Sequence, residues 1–138
     1  MMELKYMTMA SHKFSVLALF LSGLVWTGCA AKKTEISYET PEKTFRTWKQ
    51  AASKLDMKSL LESYAVSARP SIEDELARSS KEALMAMQKE AKDTNFTIEK
   101  IVYENNMAYI RIRRDRSKMS EIEVLTMVKE SGGWKLLP

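Results

Sequence analysis

The chain has 138 residues, with 22 lysines and arginines, 18 aspartates and glutamates, and a net charge of +4. This length accommodates a leader and one ordinary domain, and so small a positive charge argues against nucleic acid as a partner. The only histidine, His12, and the only cysteine, Cys29, both lie near the amino terminus. The chain beyond Cys29 therefore has no residues for an internal disulfide, a Cys/His zinc site or histidine-based catalysis.

Residues 1–28 have the three parts of an export signal. Lys5 and Lys13 supply the positive charge, and an apolar run without charged residues extends from Phe14 to Trp26. A helix over this run would be about 20 Å long, which is shorter than the roughly 30 Å hydrocarbon core of a bilayer. We therefore expect a removable leader rather than a permanent membrane helix.

The leader ends in Leu24-Val25-Trp26-Thr27-Gly28-Cys29, which resembles the lipobox of bacterial lipoproteins. Thr27, Gly28 and Cys29 match its last three positions, whereas Trp26 stands where an aliphatic residue is usual. The resemblance implies cleavage before Cys29, lipidation of that residue with acyl chains such as palmitate, and stable anchoring in a membrane. It implies a location in the bacterial cell envelope, with the domain in the periplasm or outside. A plain secretory signal is the alternative.

Residues 29–39 are predicted to be the lipidated cysteine and a polar tether, followed by a domain at residues 40–138. As a flexible coil, ten tether residues would span about 17 Å. Because Ala30 is not aspartate, the resemblance to lipoproteins favours the outer membrane in a cell that has one.

The domain is predicted to begin with a helix. Thr40 suits its N-cap and Pro41 its first turn, where the missing N–H has no partner to lose. Phe45, Trp48 and Ala52 then recur at helical spacing. Such a stripe is typical of a face buried in a core.

Two further helical segments are expected. Asp56 suits the cap of a short helix that ends near Tyr64. Arg69-Pro70 is expected to break the chain, and Ser71 to open a longer helical region with a capping box. Ser80 is a further cap that would split this region in two.

From Asn95 the apolar period changes from about 3.6 to 2, which indicates strands. The Asn105-Asn106 pair suits a tight hairpin turn, because Asn tolerates positive φ. Four strands are predicted, over residues 96–104, 107–114, 121–130 and 134–137.

Side-chain matching predicts a register for the second and third strands. It places opposite charges or apolar residues face to face at every position, as cross-strand preferences require. The predicted pairs are Arg113 with Glu121, Ile112 with Ile122, Arg111 with Glu123, Ile110 with Val124, Tyr109 with Leu125, and Met107 with Met127.

Helices followed by a meander of strands give an α+β fold. Three segments, at residues 40–48, 56–64 and 128–136, are similar to the nuclear-transport-factor-two-like superfamily, also called cystatin-like cones, as found in small envelope lipoproteins with a domain of unknown function. The resemblance covers residues 40–138. It implies N-terminal helices packed on a curved antiparallel sheet, with a pocket at the open end of the cone. The implied lining residues are Phe45, Trp48, Tyr64 and Tyr103.

The catalytic residues that enzymes of this superfamily use are Asp, His or Tyr. Here the aspartates fall at predicted caps or turns, and a tyrosine without a partner base is weak evidence for catalysis. We therefore predict a non-catalytic envelope lipoprotein without metal or cofactor. Its domain would be a binding or interaction module for an envelope protein, with large side chains filling the cone. The alternative is a carrier or enzyme for a small apolar ligand in the pocket. The four aspartates that fall at predicted caps or turns are Asp56, Asp74, Asp93 and Asp115.

A third interpretation concerns the hairpin between the second and third strands. Its cations could contact an anionic lipid or polymer surface, although neighbouring carboxylates favour a solvated hairpin. These cations are Arg111, Arg113, Arg114, Arg116 and Lys118.

Overall fold

The structure, a computed structural model, describes residues 35–138, so that the predicted leader, the predicted lipobox and Cys29 lie outside the described residues. Within residues 35–138, four helices precede four strands, which confirms the predicted α+β class. Between residues 35 and 138, none of the helices is long and apolar enough to cross a membrane. The helices are α1 (Pro41–Lys54), α2 (Met57–Glu62), α3 (Arg69–Arg78) and α4 (Lys81–Asp93), and the strands are β1 (Asn95–Glu104), β2 (Met107–Arg116), β3 (Met119–Glu130) and β4 (Gly133–Leu136).

Three of the four predicted helix caps are confirmed. The Thr40 hydroxyl accepts the backbone N–H of Lys43, and Pro41 occupies the first turn of α1. Asp56 and Ser80 accept backbone N–H groups at the starts of α2 and α4. Each cap satisfies a donor that the first turn of a helix leaves without a partner.

The predicted break at Arg69-Pro70 and the cap at Ser71 are wrong. Helix α3 begins at Arg69, with Ala68 in the cap position three residues before Ser71, and it has no side-chain cap. The backbone N–H groups of Ala68 and Arg69 both bond to the carbonyl of Ala65, so a turn leads directly into the helix. Pro70 is compatible with this because a first helical turn does not use its missing N–H.

The strands form one antiparallel sheet in the order β1-β2-β3-β4. Helix α1 packs on one face, which we call the inner face. The hydroxyl of Thr44 donates to the backbone carbonyl of Trp134 at 2.9 Å, which fixes the helix to β4. The buried core at this contact consists of Phe45, Ala108, Ile110, Ile112, Met127, Trp134 and Leu136.

A second buried cluster lies between the helices. It contains Ala51 and Ala52 of α1, Leu60 of α2 and Ala91 of α4. The small alanine side chains allow the helices to approach closely. Trp48 packs against both clusters and so connects the helical layer to the sheet.

The predicted register of β2 and β3 is wrong by one residue. Arg111 lies opposite Val124, and Ile112 lies opposite Glu123. The cause is the turn, because Arg116 pairs with Met119 and only residues 117–118 connect the strands. A two-residue hairpin permits only pairs whose numbers add up to an odd value, whereas the side-chain matching assumed an even one.

This register decides which side chains of β3 enter the core. Met127 is fully buried and Leu125 is partly buried on the inner face. Ile122 and Val124 point to the opposite, outer face, where more than half of each side chain is exposed. A one-residue change of register exchanges the two faces of a strand.

The outer edge of β4 is covered by two segments that are not strands. The N–H of Trp134 donates to the carbonyl of Tyr38, and Leu136 exchanges backbone hydrogen bonds with Ser63 and Ala65. Gly133 permits this approach, since a Cβ there would lie 2.3 Å from the carbonyl oxygen of Tyr38. Covering an edge removes a template for unwanted strand pairing.

Residues that precede Thr40 also make contacts with the helices and the sheet. The backbone N–H and carbonyl of Ser37 both bond to the hydroxyl of Thr47, at 3.1 and 3.0 Å. Ser37 and Tyr38 therefore contact α1 and β4.

The register predicts different losses of stability when two apolar residues on opposite faces of β3 are truncated. Met127→Ala should lower the free energy of unfolding by about 2–5 kcal/mol, because it removes a buried side chain. Val124→Ala should change it by no more than about 0.5 kcal/mol, because that side chain is on the surface. Urea denaturation followed by circular dichroism measures both. A larger loss for Val124→Ala than for Met127→Ala would contradict the observed register.

Candidate functional site

Three of the four predicted pocket residues meet at the contact between the helices and the sheet. The rings of Phe45 and Trp48 are stacked with centroids 5.9 Å apart, and Phe96 meets Phe45 edge-on at 5.7 Å. The indole N–H of Trp48 donates to the hydroxyl of Tyr64 at 3.2 Å. Aromatic pairs at these distances stabilise a core beyond the area they bury.

Tyr103 belongs to a different contact. Its ring meets Trp134 edge-on with centroids 5.6 Å apart, and its side chain is 59% exposed. It lies near the end of β1, opposite Ala108. It therefore packs against the edge of the core at Trp134 and stays accessible to solvent.

Of the polar side chains in this interior, Tyr64 is the best candidate for a chemical role. Burial raises the pKa of its hydroxyl, and the hydrogen bond from Trp48 acts in the opposite direction. The hydroxyl is therefore protonated at neutral pH. It is able to orient a bound acceptor, but it is no base for proton abstraction.

All four aspartates have local structural partners. Asp56 accepts the backbone N–H and the hydroxyl of Ser59, and these hydrogen bonds lower its pKa. The other three pair with neighbours on their own helix or hairpin. These pairs are Asp74 with Arg78, Asp93 with Lys89, and Asp115 with Ser120 and Arg113.

Carboxylates do not gather elsewhere in the described domain either. Over residues 35–138 there is no cluster of three or more Asp, Glu, His or Cys side chains arranged to hold a metal ion. Several carboxylates instead serve as a helix cap or as ion-pair partners.

The five predicted hairpin cations do not share a face. Arg111 and Arg113 alternate with the buried Ile110 and Ile112, so they lie on the outer face. Arg114 lies on the inner side, where its guanidinium also faces the ring of Phe96. Arg116 is two residues further along β2 and so lies on the same side as Arg114. Lys118 lies in the turn.

Four of these five cations are paired with carboxylates. On the outer side, Arg111 pairs with Glu99, and Arg113 with Glu99 and Asp115. On the inner side, Glu90 and Glu123 pair with Arg114, and Glu90 also pairs with Arg116. The pairs are partly exposed, so each contributes little to stability. Together they leave the hairpin with little excess charge for an anionic surface.

Strand β4 contains a buried lysine that no sequence pattern predicts. Lys135 is only 4% exposed, and its ammonium donates to the carbonyl of Glu62 at 2.7 Å. The same ammonium lies 3.3 Å from the ring centroid of Tyr38. Burial lowers its pKa. The only sequence signal for this contact was an aromatic residue, Tyr38, in a segment otherwise typical of a tether.

In comparisons with known protein families, with characterised proteins and with solved structures, the chain matches none of them.

The Asp56 cap predicts a pH dependence of stability. Its lowered pKa means that its contribution is present above the unfolded-state pKa of about 3.9 and is lost as the pH falls through the folded-state value. Asp56→Ala should cost about 1 kcal/mol at neutral pH and less once the carboxyl is protonated, because the uncharged carboxyl keeps an accepting oxygen but loses the part that depends on its charge.

Asp56→Asn is the matched control, because it keeps a capping oxygen without the charge. It should lose less stability than Asp56→Ala at neutral pH, with little dependence on pH. Thermal denaturation of the three proteins from neutral to acidic pH measures this. An unchanged gap between Asp56→Ala and the native chain at acidic pH would contradict the role of the carboxylate.

Proposed function

We propose that this chain is a lipid-anchored protein of the bacterial cell envelope whose domain is a non-catalytic interaction module. The Thr27-Gly28-Cys29 motif after an apolar run supports the anchor. The domain would be the cone-like form of the nuclear-transport-factor-two-like superfamily. The α+β order and the packing of α1 on the antiparallel sheet are compatible with that proposal.

One observation carries the non-catalytic part of the proposal. The polar and aromatic side chains expected in an active site contact one another or the backbone. Phe45 is buried against Trp48 and Phe96, the indole N–H of Trp48 bonds to Tyr64, and Asp56 caps a helix. A catalytic group needs a lone pair or proton available to a substrate.

A carrier of small apolar ligands is the second candidate. Trp48 and Tyr64 are only partly buried, and their hydrogen bond places a polar group within an apolar surface. Small-molecule sites combine apolar walls with a few polar groups in this way. The hydroxyl of Tyr64 would then orient an acceptor on the ligand.

The anchor is tested with Cys29→Ala in the producing cell. The variant should carry no acyl label and should be found either soluble or unprocessed, because its thioether attachment site is gone. Trp26→Leu is the control, since it restores the usual aliphatic residue and should keep both label and membrane association. Acyl label on Cys29→Ala would contradict the lipoprotein proposal.

The choice between module and carrier is tested by thermal shift with the full chain in detergent. A panel of fatty acids and sterol-like molecules should leave the melting midpoint unchanged. A carrier would instead show a midpoint that rises with ligand concentration by mass action. Loss of that rise in Tyr64→Phe, which keeps the ring, would assign the ligand to the Trp48–Tyr64 pair.

A further inference from the structure

The two edges of the sheet differ in what covers them. The edge at β4 is covered by two segments of the same chain, which bond to its backbone. In the part of the chain that the structure describes, β1 pairs only with β2, and no backbone hydrogen bond reaches the far side of residues 100–104. An edge strand without a cover presents its N–H and C=O groups to any extended polypeptide.

An irregularity near the middle of β1 limits the length of this edge. The register shifts by one residue between Ile98 and Lys100, so that Glu99 has no opposite residue on β2. Such a bulge bends the strand and interrupts its ladder. The regular part of β1 beyond the bulge is Lys100–Glu104, which we call the open segment.

The register also shows which backbone groups of the open segment point away from β2. Glu104 pairs with Met107 across a two-residue turn, and the pair that closes such a turn is hydrogen-bonded. Along an antiparallel strand, residues that bond to one neighbour alternate with residues that bond to the other side. The N–H and C=O groups of Ile101 and Tyr103 therefore point outward, to the side without a strand.

The side chains of the open segment form two rows. Ile101 and Tyr103 lie on the inner face, opposite buried residues of β2. Lys100, Val102 and Glu104 lie on the outer face. Tyr103 is 59% exposed and Val102 is 44% exposed, so that apolar surface is accessible on both sides of the edge. An added strand would cover part of both side chains.

Two charges of the open segment have no ion-pair partner within residues 35–138. These are Lys100 and Glu104, whereas Arg111, which lies opposite Lys100, is paired with Glu99. The two charges are opposite in sign, four residues apart and on the same face. Opposite charges in directly facing positions of two strands attract each other. A neighbouring strand would therefore be favoured by an acid opposite Lys100 and a base opposite Glu104.

We propose that the open segment binds an extended segment of a partner protein, which adds an antiparallel strand to the sheet. Only a polypeptide backbone supplies donors and acceptors at the spacing that Ile101 and Tyr103 present. Antiparallel pairing is the more stable arrangement per residue and is the one that all four strands already use. The inference rests on the proposed role as an interaction module, and it does not depend on lipidation.

The direction of the added strand determines the sequence pattern of the partner. In an antiparallel strand, the residue opposite Glu104 comes first and the residue opposite Lys100 comes four positions later. The partner segment therefore begins with a basic residue and ends with an acidic one, with apolar residues opposite Tyr103 and Ile101. A contact of this length is far smaller than the roughly 1,200 Å² of a standard interface, so we expect a weak complex that exchanges rapidly.

The test is an NMR titration of the isotope-labelled full chain in detergent with the blocked peptide Lys-Ile-Thr-Val-Glu. The amide signals of Ile101 and Tyr103 should shift, and their exchange with solvent should slow, because both N–H groups gain an acceptor. The N–H of Val102 already faces β2 and should exchange as before. The isomer Glu-Ile-Thr-Val-Lys has the same composition with the charges exchanged and should bind about fivefold more weakly.

Modified peptides test the backbone contact without any change to the protein. N-methylation of the peptide's Ile and Val removes the N–H groups that face β1 and should abolish binding. N-methylation of the central Thr is the matched control, because its N–H faces away from β1 and binding should persist. Equal loss from both modifications, or binding that survives the first, would overturn the added strand.

Exchanged charges on the protein test the predicted pattern. Lys100→Glu combined with Glu104→Lys should reverse the preference, so that the variant binds the isomer more tightly. The control is Lys81→Glu combined with Glu82→Lys, which exchanges two exposed charges on α4 and should keep the native preference. Circular dichroism melts should show that both variants keep the native midpoint.

Three further results would overturn the proposal. The first is a native chain whose Ile101 and Tyr103 signals do not respond at saturating peptide. The second is peptide binding that shifts only signals outside β1, which would support an interaction module with a different site. The third is a native dimer in sedimentation that the peptide dissociates, because it would assign the open segment to a second copy of the chain.

Discussion

The two-residue turn between β2 and β3 is the constraint on which the rest of the sheet depends. Arg116 pairs with Met119, and this pair determines on which face of the sheet each following side chain of β3 lies. Met127 then packs under α1 with Ile110, while Val124 points away from the helix. The cross-strand ion pairs of the alternative register would have contributed no more than about 1 kcal/mol each. Burial of one large apolar side chain contributes about 1.5–3 kcal/mol.

The position of α1 follows from this choice of inner face. Phe45 packs into the layer formed by inward-facing strand residues, and the buried hydroxyl of Thr44 bonds to the carbonyl of Trp134. A buried hydroxyl without a partner would be destabilising, so this bond also selects one position of the helix along the sheet. Segment Ser37–Tyr38 then lies where β4 would otherwise present an open edge. Lys135 is buried beneath that segment with its ammonium against the ring of Tyr38.

The charged residues have mainly local partners. Helices α3 and α4 carry pairs four residues apart, and the arginines of the β2–β3 hairpin pair with carboxylates of the hairpin itself, of β1 and of α4. Such pairs keep a small domain soluble while they contribute little stability. Within residues 35–138, Lys100 and Glu104 lie outside these pairs, on the edge strand that no other segment covers.

The sequence by itself determined the α+β order, the caps at Thr40, Asp56 and Ser80, and the turn at Asn105-Asn106, because each depends on a few adjacent residues. The leader and the lipobox stay predictions from linear motifs. The helix start at Arg69 was missed because a proline both ends and begins helices, and only the preceding turn at Ala65 distinguishes the two. The register of β3, the burial of Lys135 and the separation of Tyr103 from Trp48 were decided by the tertiary structure. Each depends on which distant segments meet, and side-chain matching along the chain cannot determine the length of a turn or what covers an edge strand.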